Sequence, residues 1–222
     1  MIGVFDSGRG GLAAFAAVRS AMPYADIAYL ADRKNAPYGT KSKSELISLV
    51  GRDIKRLSEI GARKILIACC TASSVHGELP REYRDISIPI IEPTAMAAVL
   101  ASRGCITVFA TEATVKSRAF SGAIKRACPR CRVYEIAAQN LVLLVERCAS
   151  VASIANEVAR LISKMPTDTD TVVLGCTHFS FAKEQFAALL GHDINVVDSA
   201  LVGARCIINE SRNNENGKIL YT

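Results

Sequence analysis

The chain has 222 residues, half of them hydrophobic and 22% charged, with a formal net charge of +6. That balance describes a core-forming globular protein and excludes a disordered one. The basic residues are scattered, densest at Arg63-Lys64, Lys125-Arg126 and Arg130/Arg132, with little aromatic interleaving, so they read as a solvated surface and no nucleic-acid partner is expected.

No apolar run approaches the ~18 residues that a membrane span needs. The aspartate at position 6 comes too early for a signal peptide. The expectation is a cytoplasmic protein with no membrane partner. The eight cysteines are too sparse for a disulfide scaffold, and most are expected to be free thiols.

Ile2 to Phe5 reads as a buried strand, and Asp6-Ser-Gly-Arg-Gly-Gly11 as a Gly-rich turn. A helix from Leu12 to about Ala21 carries Leu12, Phe15 and Val18 at helical spacing. Ile27 to Leu30 is a second strand, and Asp32 to Thr40 a loop containing Pro37-Tyr-Gly39. Ser42 to Ile60 is an amphipathic helix that Gly61 terminates. Lys64 to Ala68 is the next strand, followed by a helix from Thr71 to about Leu79 and an apolar run from Ile86 to Ile91 that Glu92-Pro93 ends.

The second half restarts this pattern. Helices are predicted over Thr94 to Ser102, Thr111 to about Cys128, Asn140 to Cys148, Val151 to Met165 and Phe181 to Leu190. Strands are predicted over Cys105 to Ala110, Arg132 to Ala137, Thr171 to Gly175 and Ile194 to Val197. Asp198-Ser199 could cap a last helix to about Asn209, and Glu210 to Gly217 reads as a polar, mobile tail. Alternating strands and helices predict an α/β fold with largely parallel sheets.

Two stretches echo each other: Ile65-Leu-Ile-Ala-Cys-Cys-Thr-Ala-Ser73 and Val172-Val-Leu-Gly-Cys-Thr-His-Phe-Ser180. A second echo at nearly the same offset links Ile2-Gly-Val-Phe-Asp-Ser7 with Ile106-Thr-Val-Phe-Ala-Thr111. The halves are therefore two pseudo-twofold-related domains, one running to Glu92 and the other from Pro93 to Val197. In such sheets ligands bind beyond the carboxyl ends of the strands. Asp6/Ser7, Cys69 to Thr71, Thr111/Thr114 and Cys176 to His178 are all predicted there, facing one another across a cleft.

Two facing thiols suit acid–base chemistry on a carbon acid. A thiolate removes the α-proton from one face, and a thiol returns a proton from the other. Inversion then needs no cofactor and no metal. The carbanion requires oriented donors at the substrate carboxylate, for which the hydroxyls of Ser7, Thr71, Thr111, Thr114 and Thr177 and helix-start amides are suited. Asp6 and His178 are the groups to orient or tune the thiols. Cys128-Pro-Arg-Cys131 has the spacing of a redox pair or of half a zinc site. Neither a second CxxC nor a spaced His pair completes a metal site, and its predicted position does not open a helix. Cys105, Cys148 and Cys206 read as buried packing residues.

These motifs resemble the glutamate racemases of the aspartate/glutamate racemase superfamily. The likeness runs through Asp6-Ser-Gly-Arg-Gly-Gly-Leu12, Pro37-Tyr-Gly39, Ala68-Cys-Cys-Thr-Ala-Ser73, Ile91-Glu-Pro93, Ala110-Thr-Glu-Ala-Thr-Val-Lys-Ser117, Leu174-Gly-Cys-Thr-His178 and Asp198-Ser199. It implies a glutamate-racemising enzyme without cofactor, supplying D-glutamate for peptidoglycan, with Cys69 and Cys176 as the acid/base pair assisted by Asp6 and His178. It implies substrate contacts from Ser7, Pro37, Tyr38, Gly39, Cys70, Thr71, Thr111, Thr114 and Thr177. It also returns residues 198–222 to the first domain and, since such enzymes are commonly dimeric, makes a homodimer an expectation.

Three departures stand out. Cys70 occupies a position where the family usually has an asparagine whose amide helps bind the substrate, and a thiol is a far weaker hydrogen-bonding group. Ala127-Cys-Pro129 looks like the family's Ala-Cys-Pro segment, yet Ala138 to Glu146 fits the helix that follows that segment better, making Glu146 a partner for His178. The chain is shorter than is usual in the family. Two alternatives stay open: an aspartate racemase or another isomerase of the superfamily, and a catalytically impaired binding protein of the same fold.

Overall fold

The computed structural model describes the backbone of residues 1–216 and the side chains of residues 1–211. Two four-stranded parallel sheets form the two halves. The first contains β1 (Ile2–Asp6), β2 (Ile27–Ala31), β3 (Lys64–Ile67) and β4 (Ser87–Pro89), in the order β2-β1-β3-β4. The second contains β5 (Cys105–Ala110), β6 (Arg132–Ala137), β7 (Thr171–Gly175) and β8 (Asn195–Asp198), in the order β6-β5-β7-β8. The matching order is the structural form of the sequence repeat. Every described pairing within them is parallel, including Val4 with Leu66 and Val108 with Val173. Parallel strands covered on both faces become continuous apolar runs, and β1, β5 and β7 are buried along their whole length.

The helices are α1 (Leu12–Ala21), α2 (Lys43–Glu59), α3 (Cys70–Ser73), α4 (Arg81–Ile86), α5 (Ile91–Ala101), α6 (Glu112–Ser117), α7 (Ala119–Ala127), α8 (Gln139–Glu146), α9 (Val151–Ile162), α10 (Lys183–Leu190) and α11 (Ser199–Asn216). α2 starts at a reciprocal capping box, in which Ser42 accepts from the Glu45 amide and Glu45 accepts from the Ser42 amide. Its apolar stripe, Leu46, Val50, Ile54 and Leu57, packs on Phe5, Ile65 and Ile67 of the first sheet. Gly61, at φ 97°, then turns the chain into β3. α11 lays Ala200, Ala204 and Ile207 against Ala14 and Val18 of α1 and Leu66 of β3, so the last described helix covers the first sheet.

Several boundaries differ from those predicted. The helix expected from Thr71 to Leu79 is a single α turn, α3, followed by a 3-10 turn at His76–Glu78, and α4 was not foreseen. α5 begins at Ile91 because Pro93 falls in its first turn, where no backbone donor is needed. The division between Glu92 and Pro93 therefore lies inside α5. The helix expected from Thr111 to Cys128 breaks at Arg118, which adopts φ 54°, into α6 and α7. The tail expected from Glu210 continues as α11 to Asn216, and the rest of it, from Gly217, lies outside the described residues.

Cysteine placement also corrects expectation. Cys148 is exposed and Cys206 half-buried, while Cys105 is buried as expected. Cys128 and Cys131 form a disulfide. Among the described residues no helix is long and apolar enough to cross a membrane, and no group of three or more His, Cys, Asp or Glu could hold a metal ion.

Gly175 ends β7 just before Cys176, and a Cβ there would lie 2.8 Å from the Phe109 carbonyl oxygen and 2.9 Å from the Phe120 ring. Backbone cannot retreat as a flexible side chain can. Gly175→Ala is expected to destabilise the fold by about 1–3 kcal/mol, the usual cost of overpacking, read as a lower urea midpoint at unchanged slope.

Candidate active site

The carboxyl ends of β1, β3, β5 and β7 meet at a cavity of about 220 Å³ lined from both halves. The first half contributes Ser7, Gly8, Ala36, Pro37, Tyr38, Gly39, Cys69 and Thr71. The second contributes Thr111, Gln139, Val142, Leu143, Glu146, Cys176 and His178. A strand that runs parallel to its neighbour must end on the same side of the sheet, so one register places all four motifs here.

Cys69 follows β3 and caps α3, its Sγ accepting from the Ala72 amide at 3.5 Å and lying 3.4 Å from the Ser7 hydroxyl. Burial pushes its thiol up to about 11, and the nearby Asp6 carboxylate adds to the rise. Cys176 follows β7, with its Sγ 3.6 Å from Nδ1 of His178. Its thiol is pushed well above the usual range, first by burial and then by the neighbouring thiols Cys70 and Cys69. Each is 6% exposed. Both sulfurs are thereby biased toward the protonated form.

His178 continues the line outward, its Nε2 2.5 Å from Oε1 of Glu146. That contact, outweighing partial burial, draws the Glu146 carboxyl down to about 2. Glu146 also accepts from the Arg9 amide at 3.2 Å, which ties α8 to the turn after β1. Asp6 is fully buried. Its oxygens accept from the Gly8 amide at 2.7 Å and the Thr177 hydroxyl at 2.9 Å. Burial raises its carboxyl, with the His178 ring and these donors pulling the other way. Its bonded partners thus differ from the simple pairing of Asp6 with Cys69, and the link between them is through space.

The expected hydroxyls divide into two groups. Thr71, Thr111 and Thr114 form a closed triangle with Oγ separations of 2.9, 3.2 and 2.9 Å, joining α3 to the start of α6. Ser7, Thr71 and Thr111 reach the cavity wall, whereas Thr114 stands behind it and Thr177 is committed to Asp6. Cys70 does not line the cavity either. Its Sγ lies 3.4 Å from Oγ of Ser199, among Ile90, Ile91 and Ala95. Pro37 follows a cis peptide bond, and Tyr38 borders the cavity with its ring packed beside Phe5. The Tyr38 hydroxyl turns away, donating to Asp32 at 2.7 Å beside Arg52, which bridges Asp32 and Asp53.

Ala36, Gly8, Gln139, Val142 and Leu143 also line the wall and were not foreseen. Leu141, Val142 and Val145 in the apolar run of α8 are the one signal that could have found part of this set. Among the described residues no lysine or arginine lines the cavity.

Fold and site together define a two-lobed parallel α/β protein with a cysteine from each lobe at one cavity. The chain belongs to the Asp/Glu/Hydantoin racemase family, whose model it matches over residues 15–207. It is 38% identical over 208 residues to a glutamate racemase of Desulforudis audaxviator, covering 92% of this chain and 76% of that one. The crystal structure of a glutamate racemase isoform from Bacillus anthracis superposes with a TM-score of 0.88 at 29% identity, covering 99% of this chain and 83% of that one. A glutamate racemase from Francisella tularensis, solved with D-glutamate, gives a TM-score of 0.87 at 28% identity, covering 96% and 81%.

The lowered Glu146 carboxyl makes a pH prediction. A depressed folded pKa contributes stability above the ordinary carboxylate range that is lost as pH falls toward about 2. Glu146→Gln is expected to melt below the wild type at pH 6, with the gap closing by pH 2. Thermal unfolding at the two pH values measures this.

Proposed function

We propose that the chain is a cofactor-independent glutamate racemase working through two thiols. The single observation that supports this most is the placement of Cys69 and Cys176 on one cavity, each at the carboxyl end of the matching strand in the two sheets. The family membership and the glutamate racemases among its relatives support the reaction class and the substrate.

The chemistry follows from the geometry. With substrate bound, one sulfur gives its proton to a neighbouring group and becomes the base. For Cys176 the acceptor in contact is Nδ1 of His178, 3.6 Å away. For Cys69 the nearest carboxylate influence is Asp6, whose raised affinity for a proton suits it to take one. The substrate ammonium brings positive charge into a cavity where burial disfavours a thiolate, and so lowers the cost of making one. The Cα–H bond then breaks as an S–H bond forms. The electron pair is delocalised into the substrate carboxylate, to which Ser7 donates and to which Thr71 and Thr111 donate once the ligand draws their hydroxyls out of the triangle with Thr114. The opposite thiol delivers its proton to the other face of Cα and is left as the thiolate. The reverse direction exchanges the two roles. D-glutamate made this way would serve peptidoglycan synthesis, as the family resemblance implies. Residues 1–92 with 198–222, and 93–197, are the two domains in this reading.

Cys69→Ser and Cys176→Ser are each expected to lower racemisation by ~10²-fold or more, the scale of a lost acid–base group. The assay is chiral chromatography of L- and D-glutamate in deuterated water, with deuterium entering Cα in the wild type. A wild-type rate in either single variant would sink the two-thiol mechanism.

A further inference from the structure

The Gln139 amide presents an anomaly that the thiol chemistry does not use. Gln139 opens α8 and is one of the residues around the cavity. Both its Oε1 and its Nε2 are buried, and neither has a hydrogen-bond partner among the described residues. Buried polar atoms in folded proteins are nearly always paired, so a doubly unpaired amide on a cavity wall points to a partner that enters the cavity.

The surroundings say what that partner is. Among the described residues no lysine or arginine lines the cavity, so neutral donors are what these walls offer a bound carboxylate. On the first-half side Cys70 turns its thiol toward Ser199, and Tyr38 turns its hydroxyl toward Asp32. Thr71 and Thr111 are already hydrogen-bonded to each other and to Thr114. Gln139, on the second-half wall, carries a side-chain amide with its capacity unspent. The opposing loop is shaped around it: a Cβ on Gly39 would strike Gln139 Oε1 and lie 2.9 Å from Cβ of Thr111. The glycine lets the backbone of the first half close to within contact of the amide of the second.

We propose that Gln139 is a substrate-binding residue whose side-chain amide donates from Nε2 to a carboxylate of the bound amino acid. The inference rests on the racemase reading and adds a residue to it. Binding from the second half would complete a polar clamp that the first half closes at Gly39.

Three proteins test it: wild type, Gln139→Met, which keeps length and loses both hydrogen-bonding ends, and Gln139→Glu, which replaces the donor with a negative charge. Steady-state racemisation of glutamate gives KM and kcat separately, and ligand-free melting checks each fold. Gln139→Met is expected to raise KM by roughly 10- to 100-fold, the scale of a lost hydrogen bond to a charged group. The kcat should stay within about threefold, as for loss of uniform binding. Gln139→Glu should be weaker still, because two carboxylates then face each other. A Gln139→Met KM within about twofold of wild type would overturn the proposal, as would a Gln139→Glu protein binding as well as Gln139→Met. If either variant fails to melt cooperatively, glutamate binding by the other decides by the same criterion. Wild type that neither racemises glutamate nor exchanges its Cα proton would overturn the racemase reading and this proposal with it. Wild-type racemisation that disappears in Cys69→Ser isolates the Gln139 result as a test of this proposal alone.

Discussion

The hydrogen bond from Thr177 to Asp6 holds the two halves in working register. It joins the carboxyl end of β1 to the turn after β7, and it does so at full burial. A buried carboxylate left without donors is costly, so the bond and the Gly8 amide that shares the load constrain the whole junction. With Asp6 so held, Ser7 and Gly8 reach the cavity, and the next amide, Arg9, meets Glu146. Glu146 in turn meets His178, and His178 meets Cys176. One strand end in the first half thus sets the polar line that reaches the thiol of the second.

A second junction is built differently. The Thr71–Thr111–Thr114 triangle uses neutral groups that can both donate and accept, so its three oxygens satisfy one another without fixing a charge. This leaves the cavity with neutral walls apart from the His178–Glu146 pair. The two sulfurs consequently sit in an environment that favours the protonated form, and charge enters with the ligand.

The fold was legible because its period is strong. The apolar runs at Ile2, Ile65, Ile106 and Val172 each mark a buried parallel strand, and their repeat offset anticipated two sheets of the same strand order. The thiols were legible for the same reason, since each ends such a run. Direction at the helix starts was not. Cys70 and Thr71 are adjacent in sequence, yet one faces α11 and the other the cavity, and that choice depends on Ser199 packing from far along the chain. Gln139 escaped notice because a polar residue opening a helix ordinarily faces solvent, and only the closure of Gly39 against it buries the amide. The break at Arg118 carries no turn signal, and the residues themselves give no physical account of it.

The return of α11 to the first sheet has a mechanical consequence. The backbone passes from the first sheet to the second through Ile90 and comes back through Asp198-Ser199. These two passages lie side by side, with Gly203 packed against Ile90 so closely that a Cβ would stand 3.3 Å from it. Two neighbouring covalent crossings define a line, as the paired leaves of a hinge do. A turn of one lobe against the other about that line leaves both covalent crossings in place. Such a turn changes the gap between Gly39 and Gln139 and, because Cys69 follows a strand of one lobe and Cys176 a strand of the other, it changes the separation of the two sulfurs as well. Admission of a ligand and assembly of the reacting pair are thereby one and the same motion of the chain.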